Sequence, residues 1–160
     1  MNKFLLFSLP GMLFLLSFQA CTVSYTTSGA SISPEVKTVS VGYFENYAPI
    51  IEPGLSQQLT EAIKDKFINQ TNLQLVRDGG DLHFDGKITS YQAKPQSLSG
   101  DQQVLSNRLT IAIEVKYTNA KEPDNNFEKR FSRYEDYDAN QSLDAVKAGL
   151  QDDIVEQLVQ

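Results

Sequence analysis

The chain alternates between short two-residue periodicities and two long stretches of helical periodicity. Lys37 to Phe44, KTVSVGYF, places Val39, Val41 and Tyr43 on one side and predicts a strand. Residues 45 to 53, ENYAPIIEP, hold two prolines and predict a loop. From Gly54 the apolar residues Leu55, Leu59, Ala62, Ile63 and Phe67 fall on one stripe of an amphipathic helix, with Gln58, Glu61, Lys64 and Asp65 on its wet face. LQLV at 73–76 is a short extended piece, and DGGD at 78–81 closes it with turn residues. Leu82, Phe84, Gly86 and Ile88 then alternate with His83, Asp85, Lys87 and Thr89, the signature of a half-buried strand.

KPQSLSGDQQ, 94–103, reads as a loop into the most regular strand, with Leu109, Ile111, Ile113, Val115 and Tyr117 inward. The turn NAKEPDNN leads to FEKRFSRYEDY, 127–137, whose aromatic content is high and whose alternation is poor, as expected near a sheet edge. Ser142 is placed to cap a second helix with the stripe Leu143, Val146, Leu150, Ile154 and Leu158. The order predicts an α+β fold. It is a two-layer sandwich with a mostly antiparallel sheet of about four strands and both helices on one face.

The first residues follow a different rule. After Asn2 and Lys3 an apolar run extends from Phe4 to Phe18, broken by Pro10 and Gly11, and Ala20 precedes Cys21, the only cysteine. The run is short for a bilayer span, which needs about 20 residues. It has the parts of a signal peptide. LSFQAC resembles a lipobox in position, with Phe18 and Gln19 where small or aliphatic residues are usual. The expected organisation is a lipoprotein signal peptide at 1–20, a lipidated tether at 21–34 starting with a lipid on Cys21, and one domain at 35–160. A single cysteine leaves no intramolecular disulfide. Without Lys3, 13 basic residues face 20 acidic ones, a net charge of −7, which argues against a nucleic-acid partner.

Catalysis needs a nucleophile with its base, carboxylates in perturbed environments, or a metal cage. The only histidine, His83, stands on the wet side of its strand. Asp78, Asp81 and Asp85 surround two glycines but lack the spacing and closing Glu of an EF-hand, and read as a solvated turn. No phosphate-loop, dinucleotide or nucleophile-elbow motif occurs. The domain is expected to be non-enzymatic, with no cofactor and no metal.

TVSVGYFENYAP, LSQQLTEAIKDKF, TNLQLV, GDLHFDGKITSY, NRLTIAIEVKYTN and FEKRFSRY together, in this order and spacing, resemble the LptE family of lipopolysaccharide-assembly lipoproteins, over about residues 29–158. The resemblance implies an α/β sandwich anchored by its N-terminal lipid to the periplasmic face of the outer membrane. It also implies partnership with the β-barrel LptD, which the domain plugs, in lipopolysaccharide transport to the surface. Family members continue beyond the phrase IVEQLV, where this chain ends, so the last turns of the second helix are expected to be missing or frayed. Lipopolysaccharide carries phosphates, and arginine is suited to bind them. The candidates are Lys94, Arg108, Arg130 and Arg133. Lys94 and Arg108 are expected to meet at one end of a hairpin as a phosphate clamp, whereas Arg130 and Arg133, three apart on a strand, point to opposite faces. The alternative is a free-standing periplasmic lipoprotein that binds a small apolar ligand or scaffolds another envelope complex.

Overall fold

The computed structural model describes residues 32–96 and 106–160. The folded unit spans Ser33–Gln160. Its elements are β1 (Thr38–Val41), β2 (Glu45–Asn46), α1 (Leu55–Gln70), β3 (Gln74–Leu75), β4 (Leu82–Gln96), β5 (Ser106–Asn119), β6 (Phe127–Asp138) and α2 (Leu143–Leu158), with a 3-10 turn at Pro123–Asn125. The sheet order is β3-β1-β4-β5-β6, and β2 also pairs with β4.

The sheet has six strands where about four were expected. The two extra strands, β2 and β3, are two residues each and pair in parallel with β4 and β1. β3 lies within the extended piece expected at 73–76, whereas β2 falls in the segment expected to be a loop, because two residues carry no alternation to read. β1 is also parallel to β4, while β4, β5 and β6 form an antiparallel meander. The helix α1 is the crossover that parallel pairing of β1 with β3 requires. Of the expected loop at 94–103, residues 94–96 belong to β4, and 97–103 lie outside the described residues.

One face of the sheet is covered by both helices. α1 packs against β1, β2 and β3, α2 packs against β5 and β6, and the helices touch each other. Phe44, Leu55, Leu59, Ile88, Leu109, Ile111, Ile113 and Ile154 are under 2% exposed and form the centre. Each such side chain contributes about 1.5–3 kcal/mol through removal from water. The apolar stripe of α1 faces this centre, as its spacing predicts. Towards the end of α1 the half-buried Phe67 stacks on Phe84 at 4.9 Å, and the row continues through Tyr117 and Phe127 at 4.9 and 5.1 Å.

The β1 alternation fails at Gly42. Tyr43, expected inward, is 60% exposed, and Phe44 is fully buried instead. Phe44 turns inward because Gly86 on β4 leaves room: a Cβ there would lie 2.2 Å from the Phe44 ring. The Phe44 N–H donates to Thr60 Oγ1 (3.0 Å), and that hydroxyl donates to the Ser56 carbonyl (2.7 Å), which ties the loop to α1.

The turn at 78–81 is more than a solvated one. Asp81 Oδ2 accepts from the Lys37 N–H (2.9 Å), the Thr38 N–H (3.1 Å) and the Thr38 hydroxyl (3.0 Å), and Lys121 lies 3.2 Å from Oδ1. The Lys37 amide, followed by the Lys121 ammonium, holds the Asp81 carboxyl well below the usual carboxylate range. The turn thus clamps the start of β1 to the start of β4. Ser142 stands at the N-cap of α2 without a side-chain capping bond, and the helix runs unbroken to Leu158. No helix among the described residues is long and apolar enough to cross a membrane.

Candidate functional site

β1 and β2 cover β4 only as far as Ile88. From there β4, β5 and β6 continue as a three-stranded extension, and a register shift between Ile88 and Ser90 marks a bulge at Thr89. The shift keeps Ile88 and Tyr91 both opposite core residues of β5, Ile113 and Ile111. Without it the remainder of β4 would turn its apolar side to water.

The bulge also decides where Lys94 points. Lys94 is directly opposite Arg108, and Arg108 is directly opposite Asp136, so the three share one row on the face away from the helices. The expected meeting of Lys94 and Arg108 is therefore present at the far end of the hairpin. Arg108 has a partner that the sequence did not indicate: Nε and Nη2 donate to the two Asp136 oxygens at 2.7 and 2.8 Å. Its guanidinium also lies 3.6 Å from the centre of the Tyr134 ring. The bidentate bond raises the Arg108 pKa, and the same bond lowers that of Asp136. Lys94 is exposed on the neighbouring strand.

Arg130 lies on the same open face, opposite Glu114, which in turn bridges to Lys87 at 2.6 Å. The six-residue offset from Arg108 to Glu114 puts Arg130 about 20 Å from the Lys94 row. Arg133 is opposite the core residue Ile111, hence on the helix side, where it emerges at the sheet margin. It borders an open groove of about 450 Å³ lined by Ser132, Arg133, Tyr134, Glu135, Asp136 and Gln157. The four candidates thus do not form one site. Cys21, the expected signal peptide at 1–20 and the expected tether up to residue 31 lie outside the described residues.

Two further features were not read from the sequence. His83 Nδ1 is 2.7 Å from Ser40 Oγ, and its Nε2 is 2.7 Å from Asp85 Oδ2. Ser, His and Asp in line resemble a hydrolytic relay, but Ser40 is fully buried and its Oγ already accepts the Gly80 N–H at 3.1 Å. A nucleophile must reach its substrate, and this hydroxyl cannot. The chain of bonds ties β1 to β4. The second feature is the loop after β1, which exposes Tyr43, Tyr47, Ile50 and Ile51 at 57–67%. It is held in place by the Tyr47 N–H on the Ile88 carbonyl (2.9 Å) and by Lys147 of α2 on Glu52 (3.2 Å). Rigid aromatic and aliphatic groups in water are the anchors from which protein interfaces are built.

Solved structures share this fold. A hypothetical protein from Chlamydia trachomatis superposes with a TM-score of 0.53 at 8% identity, covering 78% of this chain and 94% of that one. The rare lipoprotein B from Shewanella oneidensis superposes with a TM-score of 0.50 at 14% identity, covering 78% and 86%. At such identities the likeness is one of fold. Comparison with curated proteins finds no match. The model of the LptE family, described as lipopolysaccharide-assembly, matches residues 36–160, every element of the sandwich included. This chain belongs to the LptE family of lipopolysaccharide-assembly proteins.

Proposed function

We propose that this chain is a non-enzymatic lipoprotein, anchored through Cys21 to the periplasmic face of the outer membrane, that serves as plug and assembly partner of an LptD-like β-barrel in lipopolysaccharide transport. The family match over the whole sandwich carries this reading. In this reading residues 1–20 are removed, residues 21–34 form the lipidated tether, and 35–160 is the working domain. Two or more acyl chains on Cys21 hold a protein stably at a bilayer at about 0.8 kcal/mol per buried CH₂.

The physical character of the domain supports the role. The largest outer-membrane barrels enclose a wet lumen filled by a plug. A domain with one polar sheet face and a rigid loop of exposed Tyr and Ile suits such a place, because the polar face tolerates water while the loop supplies buried anchors. Detergent extraction should copurify a large β-barrel protein in stoichiometric amount with the wild-type chain labelled by a fatty-acid probe. Cys21→Ala should lose the label. A labelled chain that purifies without a barrel would point instead to the free-standing lipoprotein.

Lipopolysaccharide phosphates are assigned first to Lys94 and Arg108, which share a row at the free end of the hairpin, and after them to Arg130 and Arg133. Because Arg108 neutralises Asp136, Arg108→Asp would oppose two carboxylates, so glutamine is the cleaner replacement. Charge-assisted hydrogen bonds contribute about 1.5–3 kcal/mol each. Lys94→Gln with Arg108→Gln should therefore leave the circular dichroism spectrum and barrel copurification unchanged while weakening lipopolysaccharide binding about tenfold or more. The wild-type difference should shrink with added salt. Wild-type affinity in the folded double variant would remove this row from the binding site.

A further inference from the structure

Among the described residues β6 is the last strand of the sheet and pairs on one side only, along its whole length, with β5. A bare edge presents unpaired N–H and C=O groups, the template on which another strand adds. On β6 the Ser132 carbonyl takes its hydrogen bond from the guanidinium of the neighbouring Arg133, at 2.9 Å. The stretch Arg130–Asp138, RFSRYEDYD, in which Phe131 and Glu135 are half-buried, Tyr137 is buried and the rest are exposed, carries its basic residues in the first half and its acidic residues in the second. The geometry points to self-association: β6 pairs antiparallel with β6 of a second copy of this chain, about a two-fold axis at Tyr134.

Symmetry and charge together select that register. A two-fold normal to the sheet keeps the helix layers of both copies on the same side, so each residue meets one of its own face. Centred on Tyr134, the pairing sets Arg133 opposite Glu135 and Arg130 opposite Asp138, each twice, with Phe131 opposite Tyr137. Moving the centre by one residue sets Arg133 against Arg133 or Glu135 against Glu135. Centring on Ser132 sets Glu128 against Asp136. Like charges directly opposite destabilise a strand pair, and opposite charges or paired aromatics stabilise it. The Tyr134 centre is free of like-charge pairs.

The surroundings fit the same axis. Tyr134 is 50% exposed and is held by the Arg108 guanidinium beneath it, and the open groove beside β6 runs from Ser132 to Asp136, two residues to each side of Tyr134. Arg133 would leave the Ser132 carbonyl for the partner's Glu135, whose carboxylate also accepts the Gln157 amide of α2, and a partner N–H would take the place of Arg133 at the carbonyl. The Arg108–Asp136 bond on the open face is not disturbed.

The test uses the full chain alone in mild detergent at low salt, so its result is separate from that of the barrel copurification. Tyr134→Cys should cross-link to a dimer with a short bismaleimide, whereas the parent chain, whose only cysteine is Cys21, should not. In sedimentation, Arg133→Glu should weaken the dimer at least tenfold, and adding Glu135→Arg to it should restore association, because the swap re-creates both pairs. Circular dichroism checks that each variant is folded. A chain that stays monomeric at tens of micromolar, a swap that fails to restore association, or a Tyr134→Cys cross-link to a different protein would each overturn the inference.

Discussion

Phe44→Ala should lower the unfolding free energy of the domain by about 3–5 kcal/mol, the cost of deleting a fully buried phenylalanine. The ring sits against Gly86, is completely excluded from water, and its own N–H is tied to Thr60, so the loop around it has little freedom to collapse into the space. Urea unfolding followed by circular dichroism measures the loss. A change under about 1 kcal/mol would mean that the loop after β1 is not part of the core. The same variant tests the apolar loop: Tyr43 and Tyr47 flank Phe44, and loss of the anchor should also weaken barrel copurification.

Gly80→Ala should be equally damaging for a different reason. A Cβ at position 80 would stand 2.6 Å from the Ser40 nitrogen, 2.7 Å from the Leu82 carbonyl oxygen and 2.8 Å from the Val39 carbonyl carbon. All three are backbone atoms of β1 and β4, which are held in parallel register and clamped by Asp81. Flexible side chains could yield to a methyl group, but paired strands cannot. Overpacking costs of about 3 kcal/mol or more are expected, with loss of the β1–β4 pairing. Hydrogen exchange of the Val39 to Val41 amides would report it. Protection equal to wild type would show that the strands can part without cost.

The open face of the sheet illustrates how far a local pattern reaches. Alternation places Lys87 and Arg108 on wet positions because each of their strands has one dry and one wet side. It does not say that Arg108 meets Asp136, 28 residues away, since that contact depends on the register between two strands. Nor does it carry Lys94 across the Thr89 bulge, where one extra residue reverses the count. Antiparallel pairing of β4 with β5 brings Lys94 and Arg108 together, but the anion that occupies Arg108 in the folded chain comes from a third strand.

The sequence by itself determined the two amphipathic helices, the two regular strands Leu82–Ile88 and Leu109–Tyr117, the edge character of 127–137 and the α+β class, because burial of one face imprints a period on the chain. Only the tertiary structure decided the pairing of the two-residue strands, the parallel placement of β1, the inward turn of Phe44 and the ion pairs of the open face. These depend on which distant segments lie side by side. Two residues have no period to read, a glycine cleft shows only when a ring fills it, and a charge acquires its partner only when strand register brings the partner within reach.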